Sequence, residues 1–308
     1  MNRSLIIIGN GFDRFHNINS SYWHFKEFLE EEGEWGFLES IEKYIDADEL
    51  WCSFEYALGC LDYETLEEDN SCYMLSYDDD NWSDSAHHDY QYMIEQELKF
   101  ANDIPVYLHK WLLSLETKRK ALLSFMIMNN NNTFMNFNYT DTLEATYNIN
   151  RKNIFYIHGK ALEIEDLVVG HGNKEMTEDN VQKEFSSDEE QDAYYEYMSS
   201  FDVRELEARE VIRGYFRETY KDVDKIIRYN LDVFASYKGI DTVYVLGHSL
   251  AYVDLKYFEV INNIIGNNAV WIVTYFRPEE QCQHITQLMR VGVSPQQIRM
   301  CKMEQLCG

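Results

Sequence analysis

The chain has 308 residues, 27 Lys and Arg against 54 Asp and Glu, a formal charge of −27 and 45% hydrophobic residues. That apolar content supplies a core and excludes a disordered solvating chain, and 3 Pro with 14 Gly exclude a linker-like or collagen-like polymer. The acidic balance excludes broad tracking of nucleic-acid phosphates, which needs clustered Lys and Arg, so no nucleic-acid partner is expected.

Ser4 to Gly9 is a continuous apolar run ending in a Gly-x-Gly turn, the pattern of a strand buried on both faces of a parallel sheet. From Ser20 to Leu61, acidic and aromatic residues recur at helical spacing. Residues 62–92 are acidic, Tyr-rich and weakly periodic, which predicts a surface insertion. Helical patterning returns from Tyr90 to Met128 until Asn129–Asn132 breaks it. Thr133–Asn138 and Ile154–His158 are short β-rich runs, and Leu167–Gly170 is a weaker one. Residues 173–237 are charged and helical, which predicts an inserted lobe. Thr242–Gly247 and Ala269–Tyr275 restore the buried-strand pattern on either side of a helical Val253–Ile265. The alternation predicts one elaborated α/β domain over residues 1–308, Rossmann-like, with a mainly parallel sheet and helices on both faces.

Cys52, Cys60, Cys72, Cys282, Cys301 and Cys307 form no Cys-x-x-Cys pair, and the apolar run after Met1–Asn2–Arg3 is too short for a secretory core. No stretch approaches the roughly 20 apolar residues of a membrane span. The expectation is a cytoplasmic protein with reduced thiols and no membrane partner. Abundant aromatics beside an acidic surface suggest a homo-oligomer.

Polar clusters follow four of the strand runs: Gly9-Asn10-Gly11-Phe12-Asp13, Asn136-Phe137-Asn138-Tyr139-Thr140-Asp141, His158-Gly159-Lys160 and Gly247-His248-Ser249-Leu250. Ligands of open parallel sheets bind beyond the carboxyl ends of the strands. Each cluster alone could be ordinary strand termination and helix capping, but together they mark a site. Gly9 and Gly11 would let backbone approach a ligand, and the following helix start would offer N–H groups to a phosphate. With Arg14 in place of a third glycine, the dinucleotide fingerprint is incomplete. Asp13 could accept from a ribose hydroxyl or cap the helix. His158 suits a general base, and the Asn138 amide could orient a water or a sugar hydroxyl. Alternatively His158 is a buried imidazole on backbone carbonyls and Asn138 an Asx turn.

Several motifs together resemble one family. They are Leu5 to Asp13, Ser21-Tyr22 with Phe25, Trp51 with Phe54-Glu55, Asn136 to Glu144, Ile157 to Lys160, Gly170-His171-Gly172, and Gly247 to Leu250 with Asp254. In that order they resemble the AbiH family of phage abortive-infection proteins. The resemblance implies anti-phage defence, with a phage-derived trigger or an accessory defence protein as partner. The order of motifs is also similar to sirtuin-like domains of defence effectors, Rossmann-like folds that take NAD. There an Asn and a His serve hydrolysis of the nicotinamide–ribose bond. By position, that similarity implies catalytic roles for Asn138 and His158. It would have Gly9, Asn10, Gly11, Asp13 and Asp141 line NAD or a related nucleotide, with Gly247, Ser249 and Asp254 closing the ribose side. Thr140 is an additional residue between Tyr139 and Asp141, and Asn10 stands where a small residue is usual.

Two other enzyme classes compete. Gly247-His248-Ser249-Leu250-Ala251 looks like the nucleophile elbow of a lipase or esterase, with Ser249 as nucleophile and Asp254 or Glu259 and His284 as partners. Against it, only one strand run, Ala269–Tyr275, follows Ser249, where that fold needs more. A metal site is not expected. His158, His171 and His248 with Asp13 or Asp141 lack the i, i+4 spacing of a helical zinc site, and His87–His88 in an acidic stretch reads as solvated surface. The non-enzyme alternative is a nucleotide-binding sensor or scaffold that uses the same glycines and Asp13 without needing His158 to titrate.

Overall fold

The computed structural model describes residues 3–80, 82–83, 86–162, 167–177, 187–266 and 268–308. Positions 81, 84 and 85 of the expected insertion and 178–186 of the expected lobe lie outside the described residues. The chain divides into two compact units. The first comprises residues 1–28, 105–169 and 221–308, and the second residues 29–104 and 170–220.

The first unit carries a six-stranded, all-parallel sheet: β1 (Ser4–Ile8), β2 (Thr133–Asn136), β3 (Ile154–Tyr156), β4 (Thr242–Leu246), β5 (Val270–Thr274) and β6 (Ile298–Cys301), in the order β3-β2-β1-β4-β5-β6. This is the α/β architecture that the alternating runs predict. β1 shows why the run is apolar throughout. Leu5 and Ile7 join the cluster containing Phe137, Phe234, Tyr257, Phe258 and Trp271, while Ile6 and Ile8 join the one containing Phe12, Phe134 and Leu143. Alternate side chains of one strand thus feed two cores, and a polar residue in either phase would be buried without a partner.

Helix Leu255–Ile265 covers the first face with Leu255, Tyr257, Phe258 and Ile261, a helical spacing. It stops at Gly266, whose φ of +77° suits a glycine after a helix end. Helices Asn10–Phe15 and Thr142–Tyr147 supply Phe12 and Leu143 to the other face.

β6 corresponds to none of the apolar runs. It pairs with β5 at the sheet edge and buries fully only Ile298, so its run Ile-Arg-Met-Cys lacks an apolar signature. The helical reading of Tyr90 to Met128 is corrected as well. Helices cover Asp89–Glu97 and Phe100–Ser114, and residues 115–132 are irregular. Leu167–Gly170 forms no strand; Val168 N–H donates to the His158 carbonyl and its own carbonyl accepts from Tyr139 Oη.

The second unit is helical among the described residues, with helices such as Trp35–Lys43, Tyr63–Asn70, Asp89–Glu97 and Val203–Glu218. Tyr63–Asn70 falls where the weak periodicity suggested an insertion, yet it buries Leu66 and Asn70. The strand-free stretch 173–237 is shared between the units: Val203–Glu218 lies in the second, while helices Val223–Tyr229 and Leu231–Ala235 bring Ile227 and Phe234 to the sheet's core. Part of the acidic excess caps helices. Asp46, Asp62, Asp202 and Asp222 each accept a backbone N–H at a helix start, where the macrodipole also favours negative charge. The six cysteines are free. No helix among the described residues is long and apolar enough to cross a membrane.

Candidate functional site

Strand register brings the four polar clusters to one edge. Leu246 lies opposite Ile8, Ile8 opposite Asn136, and Asn136 opposite Tyr156, so the residues that follow emerge in a single row at the carboxyl ends.

The glycines in that row serve backbone contact. Gly11 N–H donates to the Gly247 carbonyl at 2.7 Å, and Gly9 N–H to the Leu246 carbonyl at 3.0 Å. A Cβ at Gly9 would lie 2.5 Å from His248 Cα, and one at Gly247, where φ is +66°, would lie 2.2 Å from the Phe12 nitrogen. The β1 and β4 loops therefore press together at Gly9, Gly11 and Gly247, with no room for side chains. One N–H at the helix start is thereby already engaged. Asn10 turns aside, its Oδ1 accepting from Ser20 Oγ at 2.5 Å.

Asp13 organises the first buried polar cluster. It is fully buried, and its Oδ2 accepts from Thr140 Oγ1 at 2.5 Å, while Thr142 Oγ1 donates to Thr140 Oγ1 at 3.2 Å. Asn138 Nδ2 donates to the Gly9 carbonyl at 3.1 Å, and the Asn138 backbone N–H donates to Asn136 Oδ1. Burial pushes the Asp13 carboxyl up to about 6, against donors from Thr140, Thr142 and Asn138; the nearby Asp141 charge adds to the rise. Asp141 itself accepts from Thr117 Oγ1 at 2.5 Å. Thr140 thus ties the β2 loop to the first helix.

The second cluster is charged. Lys221 Nζ donates to Asp254 Oδ1 at 2.9 Å, with the lysine side chain fully buried. His158 Nε2 lies 3.8 Å from the same oxygen, and His248 Nε2 lies 3.6 Å from Asp254 Oδ2. Burial raises the Asp254 carboxyl, but Lys221, His158 and His248 together outweigh it and hold the group below the usual range. Burial, reinforced by the Lys221 charge, drives His158 well below the usual imidazole range despite Asp254. His248 falls to about 4, mainly by burial, with Lys221 and His284 adding repulsion against Asp254's opposing pull. At neutral pH this is one ion pair flanked by two neutral imidazoles.

Their proton positions follow from their partners. Leu250 N–H donates to His248 Nδ1 at 2.9 Å, which places the His248 ring proton on Nε2, facing Asp254. His158 has a backbone hydrogen bond to Phe137, and its buried Nε2 has no hydrogen-bond partner. The Phe137 ring sits edge-on to both imidazoles, with centroids 5.3 Å from His158 and 4.3 Å from His248, and it shields the cluster from water.

The structure therefore brings together His158, His248 and Asp254, and separately Asp13, Asn138 and Gly9. No hydrogen bond joins Asn138 to His158; each belongs to its own cluster. No motif marks Lys221, and Thr140 and Phe137 stand inside the second polar cluster with no role of their own assigned there. Lys221 lies 33 positions from Asp254 in a charged stretch, and no local spacing marks it.

Ser249 is exposed in the loop after β4, where the positive-φ residues are Gly247, at +66°, and Leu250, at +54°. A nucleophile elbow would place that strain at the serine. The proposed acids and base are engaged elsewhere. Glu259 pairs with Lys256 at 2.9 Å, Asp254 with Lys221, and His284 has a backbone hydrogen bond to Thr274. His171 belongs to the second unit, where its Nε2 meets the Phe216 carbonyl at 3.0 Å and its Nδ1 accepts from Asn173 N–H.

A family model described as Bacteriophage abortive infection AbiH matches residues 5–275, a span containing both clusters. No curated protein and no solved structure matches the chain.

Proposed function

The chain belongs to the AbiH family of bacteriophage abortive-infection proteins, and from that premise we propose that it hydrolyses NAD or a related nucleotide once infection opens its buried base, His158. The observation that carries this reading is the lone-pair nitrogen, His158 Nε2. It sits 3.8 Å from a carboxylate that Lys221 keeps ionised, at the carboxyl end of a parallel sheet. The strand order 3-2-1-4-5-6 is that of doubly wound sheets, which take nucleotides at this edge.

In the proposed step, a water oxygen attacks the ribose carbon of the nicotinamide–ribose bond and passes its proton to His158 Nε2. The electron pair of the breaking bond leaves on the nicotinamide nitrogen. Asp254 stabilises the imidazolium as it forms, and a base so placed contributes typically ~10²–10⁴ in rate. Asn138 acts as a positioning residue through the Gly9 carbonyl. Burial of His158 keeps the resting protein silent. Opening returns its pKa toward the ordinary ~6.5, where it serves as a base at neutral pH. A phage-derived trigger or an accessory defence protein supplies the opening.

The test compares NAD in infected cells expressing wild type or His158→Ala at equal levels. NAD should fall with the wild type and hold with the variant. Unchanged NAD in both, with phage protection intact, overturns hydrolysis. The 4% exposure of His158 would then favour a nucleotide-binding sensor, in which the cluster needs no proton transfer.

A further inference from the structure

We propose that His87, His88 and Glu207 bind a divalent transition-metal ion, Zn²⁺ foremost, on the second unit. By sequence alone His87–His88, in an acidic stretch, reads as solvated surface. The fold supplies the third group. The single helical turn Ala86–His88 runs into helix Asp89–Glu97, which packs against helix Val203–Glu218, and that helix carries Glu207.

His87 Nε2 lies 4.0 Å and His88 Nδ1 3.9 Å from Glu207 Oε2, and the three ligand atoms fall within 4.8 Å of one another. The two rings are perpendicular, with centroids 4.9 Å apart, and His87 faces Glu207 through Nε2, His88 through Nδ1. Glu207 Oε2 is buried and has no hydrogen-bond partner, an expensive state for a carboxylate oxygen that a cation would relieve.

Two ligands of a tetrahedral ion at ~2.0–2.1 Å stand about 3.4 Å apart, so the two histidine–carboxylate gaps close by about half an ångström and the widest pair by up to about 1.4 Å. Side-chain torsions of the two imidazoles, 28% and 61% exposed, supply that closure. Gln91 Nε2, 3.1 Å from His88 Nδ1, would give up that contact. Two imidazoles and a carboxylate suit a borderline ion such as Zn²⁺ better than Mg²⁺ or Ca²⁺, which favour oxygen ligands. Asp202, near His87, adds negative potential, although its carboxylate is bound by Arg204. The bound ion would pin the Ala86–His88 turn to helix Val203–Glu218 and keep water in its remaining position.

This inference is independent of the nucleotide reading. Metal-stripped full-length protein is titrated with Zn²⁺ by calorimetry and with Co²⁺ by visible absorption. The expected result is one tight equivalent, weakened more than about tenfold in His87→Ala, His88→Ala and Glu207→Gln. Zn²⁺ should also raise the melting temperature of the wild type but not of the triple variant. These side chains are at least partly exposed, so the variants fold, and circular dichroism checks that. Absence of binding, or equal binding by wild type and the triple variant as exposed cysteines would give, overturns the proposal.

Discussion

Asp13 and Asp254 are both buried carboxyls at the carboxyl edge of one sheet, yet they are driven in opposite directions. Asp13 has hydroxyl and amide donors from Thr140, Thr142 and Asn138, and burial lifts it to about 6. Asp254 has Lys221 at 2.9 Å and two imidazoles within 4 Å, and it is held below the usual range. Burial alone would raise both. A buried lysine decides the sign, because one nearby full charge outweighs several neutral donors when water is excluded. The first cluster therefore ties a helix to a strand loop, and the second stores a permanent ion pair beside imidazoles.

The largest expected effect comes from removing that lysine. Lys221→Met strands the Asp254 charge and should cost about 3–5 kcal/mol in urea unfolding. Adding Asp254→Asn should return part of the loss, and strictly additive effects would contradict the pairing.

The pH dependence separates the clusters by sign. Because the folded pKa of His248 is depressed to about 4, its cost is absent above ~6.5 and grows as pH falls toward 4, reaching about 3 kcal/mol. His248→Gln should flatten that acid loss in stability measured between pH 6.5 and 4. Asp13 runs the other way. With its folded pKa raised to about 6, its stabilising contribution is complete below ~3.8 and is lost as pH rises through 6. Asp13→Asn should therefore relieve up to about 3 kcal/mol at pH 7 and remove that trend.

Thr140→Val deletes the hydroxyl that donates to Asp13; it should cost about 1–2 kcal/mol at pH 7 and move the Asp13 midpoint higher by carboxyl-carbon NMR. Exposed Ser249→Ala should stay within about 0.5 kcal/mol.

These contrasts also explain what was legible in the sequence. β1 and β4 were visible because strands buried on both faces are apolar at every position, and their register alone carries the polar clusters to one edge. Gly9 and Gly11 were visible as a turn, but their reason was not. They are small because the β4 loop, more than two hundred positions away, touches them, and only strand pairing reveals that. β6 escaped because an edge strand burying one residue has no distinct pattern. The first cluster's carboxyl, Asp13, stood inside a motif, whereas the second cluster's lysine stood in a charged helical stretch. Its importance comes from burial, which composition does not encode. His248 was legible as part of Gly-His-Ser, but reading the motif for Ser249 passed over the residue that turns inward.

The central claim is that the lysine-anchored cluster carries the defence function while the Asp13 cluster serves the fold. Its most direct test is phage plating on cells that express wild type, Asp13→Asn or His158→Ala at equal soluble levels. The account predicts protection by the wild type and by Asp13→Asn, and its loss with His158→Ala. Protection by His158→Ala equal to that of the wild type would contradict it.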